Sequence, residues 1–361
     1  MKVLFDIAHP AHVHLLKGVY VGLIRNGHQV VVTVKDIPAA KKLLDQFQIP
    51  FFCLGAKKDS FLGKFLKQWR YTYQLFNLTR KFRIEMCIGS SLTITHLKVL
   101  TGIPAIVFDD DDDQVEPLFA KLAHPFASVV LTPSSIKRKT KNAIYYEGYH
   151  ELAYLHPNRF NVDVSVINEL GLLPDEPYFV LRFNAFKAHH DIGVEGLSFA
   201  QKQQLVALLL KYGRVFISTE VEMESVFKPY QLPTSPEKIH SVICFATLFL
   251  GDSQTMTTEA ALLGTPAFKL NSFAGRLSVP NELQNDYQLC FSYLPSQFEE
   301  FNEKLQQMLR DPDLKTTWNT RRQQLLAEKI DVTSFYLWFI ENYPESVKIM
   351  RENPDYQYTF R

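Results

Sequence analysis

The sequence has no apolar run approaching the roughly 20 residues that cross a bilayer, which excludes a helix-spanning membrane protein. The apolar part of residues 1–10 is too short for a secretory leader, so a cytoplasmic location is expected. Cysteine is scarce. Cys53, Cys87, Cys244 and Cys290 are scattered through apolar segments, which points to buried free thiols in a reducing compartment rather than disulfides or a cysteine metal site. Neither charge sign is in excess. The formal net charge is +1, which argues against a general nucleic-acid binder. The glycine fingerprint of dinucleotide folds is also missing. The turn after the first apolar strand reads His9-Pro10-Ala11-His12, so an NAD site fails at that turn.

What is present is an α/β rhythm in two halves. At 361 residues the chain exceeds the usual limit of one core, so two domains are expected. A strand over residues 3–8 precedes a helix over 15–25, with Leu16, Val19 and Leu23 at helical spacing, and a second strand over 30–34. Such a βαβ unit needs a parallel sheet and a right-handed crossover. Open sheets of this kind place ligands at the carboxyl ends of strands, so polar residues there are the candidates. After the first strand come His9, His12 and His14, read as turn caps, as metal ligands lacking a third partner, or as a proton acceptor in His12. After a strand ending at Asp109 comes the run Asp109 to Asp113, read as a solvated loop, as acid/base carboxylates or as a hard-cation site. After a strand over 178–183 come Lys187, His189 and His190, with Arg182 inside the strand's end.

Residues 248–270 are the most informative stretch. Leu248 to Leu250 are apolar without alternation, as in a strand buried on both faces. Gly251-Asp252-Ser253 breaks the strand, Ser253 or Thr255 caps a helix carrying Ala260 to Leu263, Gly264 ends it and Pro266 follows. A strand running into a capped helix start is an anion site, because the first-turn N–H groups are free and the dipole favours negative charge. Glu259 does not suit a pure phosphate site. It is either a ribose-gripping carboxylate or a surface residue favoured by the helix dipole.

The segment 57–83 is basic and aromatic. Lys57, Lys58, Lys64, Lys67, Arg70, Arg80, Lys81 and Arg83 alternate with Phe61, Phe65, Trp69, Tyr71, Tyr73 and Phe76. It reads either as a crossover helix with solvated charges or as a peripheral contact with anionic lipid.

The run around Ser253 and Glu259 resembles the nucleotide motif of the GT-B glycosyltransferases and the UDP-GlcNAc 2-epimerases. The histidine-rich opening, with Gly27-His28 before the second strand, resembles many GT-B openings. Together with the Asp-rich strand end and the Glu147-Gly148-Tyr149-His150-Glu151 segment, the pattern resembles a prokaryotic domain-of-unknown-function family placed near the 2-epimerases. The resemblance implies a GT-B-like α/β fold with two Rossmann-like domains facing a cleft, over 1–160 and 161–331, and a helix and tail over 332–361 packing back on the first. It also implies that Ser253, Gln254, Thr255 and Met256 face a diphosphate, although Ser-Gln-Thr stands where Ser-Gly-Gly is usual. Glu259 would take the ribose, Arg182 or Lys187 would supply a cation, and His12 would be the base. Asp109, Asp110 and Glu116 are the nearest matches to epimerase carboxylates. The function expected is transfer from a nucleotide-sugar, UDP-linked and a substrate rather than a cofactor, to a glycan or lipid-linked acceptor in polysaccharide or glycolipid assembly. A 2-epimerase and a non-catalytic nucleotide-sugar binder are the alternatives. No metal is required and no nucleic acid is expected. The location is cytoplasmic, with the 57–83 segment bringing the chain to the inner membrane face.

Overall fold

The computed structural model describes residues 1–55, 61–183, 196–219 and 222–361, the side chains of 61–67 excepted. The chain divides into two compact units, residues 1–159 with 329–361, and residues 160–328. The first unit begins β1 (Lys2–Ile7), α1 (Pro10–Arg25), β2 (Gln29–Val34), α2 (Pro38–Gln46), β3 (Phe51–Cys53), α3 (Phe61–Phe82), β4 (Met86–Gly89), α4 (Leu92–Thr101), β5 (Ala105–Phe108) and α5 (Pro117–Leu122). It continues with β6 (Val129–Pro133), β7 (Ala143–Tyr146) and α6 (Leu152–Leu155). The second unit holds α7 (Val166–Glu169), β8 (Tyr178–Arg182), α8 (Phe199–Leu209), β9 (Arg214–Ser218), α9 (Ile239–Phe245), β10 (Leu248–Gly251), α10 (Gln254–Leu263) and β11 (Ala267–Leu270). After these come α11 (Ser278–Asn285), β12 (Cys290–Tyr293), α12 (Phe298–Leu309) and α13 (Leu314–Glu328), and α14 (Val332–Glu341) and α15 (Glu345–Glu352) return to the first unit.

Every strand pair is parallel. The first sheet runs β3-β2-β1-β4-β5-β6-β7 and the second β12-β11-β10-β8-β9. Helices on both faces explain why the central strands are apolar without alternation: β5, β8 and β10 are buried at every residue. In each sheet the chain reverses direction once, between β1 and β4 in the first and between β8 and β10 in the second. Those reversals open crevices at the carboxyl ends of the strands, where such sheets take ligands.

Two elements differ from the sequence expectation. The helix expected over 15–25 starts at Pro10, because proline suits a first helical position and the His9 ring accepts a hydrogen bond from the Ala11 N–H. His12 therefore lies in the first turn of the helix and His14 in the second, and neither is a turn residue. The single C-terminal helix expected from 332 is broken at Pro344 into α14 and α15.

The returning segment is built into the first unit's core. α14 lies against α1, where Gly18 and Gly22 permit the close approach; a Cβ there would stand 2.9 Å from Thr333 Cγ2 and 2.8 Å from Leu337 Cδ2. Tyr336 stacks on Phe108 at 4.2 Å between ring centres, and its hydroxyl lies 2.6 Å from that of Tyr146. Burial and this pairing hold the Tyr146 phenol well above the usual range.

Candidate functional site

In the first unit the polar residues at the strand ends sort into two groups. Asp109 is buried and committed. Its carboxylate lies 2.6 Å from His124 Nε2 and 3.1 Å from Arg138 Nη2, and Arg138 also reaches Asp113 Oδ1 at 2.7 Å. Arg138 further donates to the Asp109 carbonyl at 2.8 Å, so it ties both ends of the run. Asp109, expected as a reacting carboxylate, is held by these contacts at the start of the loop. Glu116 stands exposed at the start of α5, and burial, with the charges of Asp110, Asp109 and Glu116 adding to it, raises the Asp111 carboxyl well above its ordinary value.

Asp110 is placed differently. Its Oδ1 lies 3.0 Å from His150 Nδ1, in the turn that follows β7. Burial would raise this carboxyl, but the charge and hydrogen bond of His150, with His12 beside it, prevail and hold it below the ordinary value. His150 is itself buried, and its Nε2 has no hydrogen-bond partner among the described residues. A carboxylate on Nδ1 fixes the tautomer and leaves Nε2 to accept a proton, as base dyads require.

His12, expected as the base, belongs to the same group. Its Nδ1 accepts from the Ala8 N–H at 3.4 Å. Burial, with His9 and His150 adding to it against Asp110, lowers the ring to about 3. A ring that weakly basic is neutral near pH 7 and a poor proton acceptor, though it remains a hydrogen-bonding group. His14 is packing, edge-on to Phe47 and tilted against Tyr154. One oxygen each from Asp109, Asp110 and Asp111 lie within 4.8 Å of one another, the group of the described residues that could surround a cation.

In the second unit the crevice between β8 and β10 is formed by Arg182 and the start of α10. Ser253 caps the helix, accepting from the Met256 N–H at 3.4 Å, and Ser253, Gln254, Thr255 and Met256 are half-buried along its first turn. Gly251 is required: a Cβ would stand 2.8 Å from both Arg182 Cβ and its carbonyl oxygen. Arg182 is buried and donates from Nη1 to Ser218 Oγ at 2.8 Å. Glu259 is not a surface residue. It is buried, and its Oε1 lies 2.9 Å from His240 Nε2 of α9. Lys187, His189 and His190, with Lys57, Lys58 and residues 59–60, lie outside the described residues.

Sequence reasoning quoted His150 only within a family pattern, and missed Arg138 and His124. A basic residue some 30 positions after an acidic run is no local signal. The missed pairings join the loop after β5 to the turn before β6 and the loop after β6.

The family model described as "Protein of unknown function (DUF354)" matches residues 1–284. The chain belongs to this family. It is 21% identical over 282 residues to "Uncharacterized protein MJ0665" of Methanocaldococcus jannaschii, covering 74% of this chain and 80% of that one. Among solved structures it is similar to UDP-GlcNAc 2-epimerase from Neisseria meningitidis bound to UDP-GlcNAc, with a TM-score of 0.63 at 15% identity over 88% of this chain and 94% of that one. It is similar as well to the spinosyn rhamnosyltransferase SpnG complexed with spinosyn aglycone, with a TM-score of 0.61 at 12% identity over 94% and 99%. The DUF354 chain thus has the GT-B-like α/β architecture with two parallel sheets that epimerases and glycosyltransferases share.

Proposed function

We propose that the chain is a nucleotide-sugar-dependent glycosyltransferase, with the nucleotide on the second unit and the proton-transfer groups on the first. The observation that carries this reading is the Asp110–His150 pair, whose Nε2 is left to take a proton. In this reading His150 accepts the proton of an acceptor hydroxyl as that oxygen bonds to the anomeric carbon. The bond from that carbon to the diphosphate breaks, and the N–H groups at the start of α10 and the Arg182 guanidinium take up the charge. Glu259 grips the ribose with its carboxylate while His240 holds it in place. The donor is UDP-linked, and the acceptor is a glycan or a lipid-linked sugar of surface polysaccharide or glycolipid assembly.

The second reading is UDP-GlcNAc 2-epimerisation, which calls on carboxylates at Asp109 and Glu116 for proton removal and elimination. Asp109 is already bound to His124 and Arg138, which favours transfer. Incubation with UDP-GlcNAc alone separates the two: appearance of free UDP or of the 2-epimer overturns transfer. UDP binding without turnover on any acceptor supports a non-catalytic binder instead.

Ligand binding is tested by thermal shift. UDP at about 100 times its dissociation constant adds about 2.7 kcal/mol to the folded state, so the melting temperature rises by several degrees. Glu259→Gln is expected to keep the His240 contact and the apo stability but to remove most of that rise. A shift unchanged from wild type eliminates Glu259 as the ribose ligand.

No helix among the described residues is long and apolar enough to cross a membrane. On α3, Trp69 and Tyr73 are 59% and 66% exposed one turn apart, with Arg70, Arg80, Lys81 and Arg83 also exposed. This face supports a peripheral position at the inner membrane surface, where lipid-linked acceptors lie. Vesicles containing about a third anionic lipid are expected to pellet the protein at low salt, and Trp69→Ala with Tyr73→Ala to reduce the bound fraction about tenfold. Equal binding to neutral vesicles rules the face out.

A further inference from the structure

The second sheet carries a buried amine that the transfer reading leaves unused. Lys269 is 0% exposed, and its Nζ has no hydrogen-bond partner among the described residues. An ammonium taken from water without a partner is costly, so its retention calls for a function. Strand register fixes its place. Gly251 of β10 is aligned with Arg182 of β8 on one side and Lys269 of β11 on the other, and Lys269 with Ser292 of β12.

Residues aligned on neighbouring parallel strands share a face, so Arg182, Gly251 and Lys269 make one row at the carboxyl ends, with no side chain at its centre. Strand spacing sets the Arg182 and Lys269 Cα atoms about 10 Å apart. The row lies on the face covered by α9, α10 and α11. The hydroxyl of Tyr178, on the same face as Arg182, donates to the Val242 carbonyl of α9 at 2.5 Å. Cys290, on the same face as Lys269, lies with its Sγ 3.7 Å from the Pro280 carbonyl of α11. Helix α10 packs against α9, α11 and β11, and it begins three residues beyond Gly251.

We propose that Lys269 is the buried counter-charge for a diphosphate-class anion held at the start of α10. The proposal rests on the nucleotide reading above and deepens it: a cation beneath the helix start replaces the donors that a Ser-Gly-Gly turn supplies elsewhere. Arg182 and Lys269 bracket the gap at Gly251, and the N–H groups of the first turn face the same crevice. Burial lowers the amine to about 8, with Cys290 acting weakly the other way. Other charged or titratable groups on the surrounding elements include Tyr178 and Arg182 on β8, Asp252 at the end of β10, Glu259 on α10 in contact with His240 of α9, Cys244 on α9, Glu282 on α11 and Tyr293 on β12. An arriving diphosphate favours the charged amine, so binding near pH 8 takes up a proton.

Calorimetry with UDP and with inorganic pyrophosphate, at pH 8 in two buffers of different ionisation enthalpy, tests this on wild type and Lys269→Met. Wild type is expected to take up protons on binding UDP, because the anion favours the charged amine. The variant is expected to bind UDP and pyrophosphate about tenfold more weakly, the loss of one charge-assisted contact, with no uptake. It is expected to melt at or above the wild-type temperature, since it removes a buried charge. Equal affinity and equal uptake in the variant overturn the role of Lys269 and leave the nucleotide reading intact. Wild type binding neither probe overturns both. Should Lys269→Met fail to fold, Lys269→Gln takes its place, and affinity and uptake equal to wild type in that variant overturn the proposal.

Discussion

His150→Gln is expected to lower turnover by about a hundredfold to ten-thousandfold while leaving the dissociation constant for UDP within about twofold. The split follows from where the groups lie: His150 and Asp110 are on the first unit, and Arg182, Ser253 and Glu259 on the second. Asp110→Asn is expected to lose a comparable factor, because an amide in place of the carboxylate no longer stabilises the protonated ring and can present an N–H to Nδ1, favouring the tautomer that carries its proton on Nε2. His12→Gln is expected to cost less than about tenfold, since a ring lowered to about 3 accepts protons poorly. The measurement is UDP release with an active acceptor, alongside UDP affinity by calorimetry. If His12→Gln proves the more damaging change, the base has been assigned to the wrong histidine.

Asp331→Ala is expected to destabilise the first unit by about 2–3 kcal/mol. Asp331 is buried and does two things at once. Its Oδ1 caps α14 by accepting from the Ser334 N–H at 3.0 Å, and its carboxylate receives Arg159 Nε at 2.9 and 3.1 Å and Nη2 at 2.8 Å. Losing the cap costs about 1 kcal/mol. Losing a charge-assisted contact costs about 1.5–3 kcal/mol, and the partly exposed Arg159 recovers some of that from water. For a unit of this size the sum lowers the melting temperature by about 5–10 °C. Asp331→Asn, which can still cap, is expected to lose about half as much. A change below 1 kcal/mol in the alanine variant, measured by urea unfolding, contradicts this account of how the returning segment is fastened.

The fold was legible because its signals are local. Apolar runs without alternation mark β5, β8 and β10 as doubly buried, and Gly251, Ser253, Gly264 and Pro266 punctuate β10, α10 and β11 within 16 residues. The start of α1 was read late because the histidines drew attention from Pro10, a helix-starting residue. The site was less legible because it is assembled from pairings between separate loops around the neighbouring strands β5, β6 and β7. Five consecutive aspartates look alike in a sequence, and only Arg138, His124 and His150 distinguish them. The first two lock Asp109, and the third takes Asp110. Glu259 reads as either ribose ligand or surface residue until α9 brings His240 against it. Lys269 sits in an ordinary apolar strand, and nothing before it shows that the neighbouring position across β10 is a glycine.

The Arg159–Asp331 contact closes a gap of 172 positions in the chain. The first unit is thus a continuous body whose two ends meet where the second is spliced in. Joining residue 159 to residue 329 through a short flexible bridge should yield a free-standing proton-transfer module, with its dyad observable by histidine NMR and no nucleotide binding to obscure it.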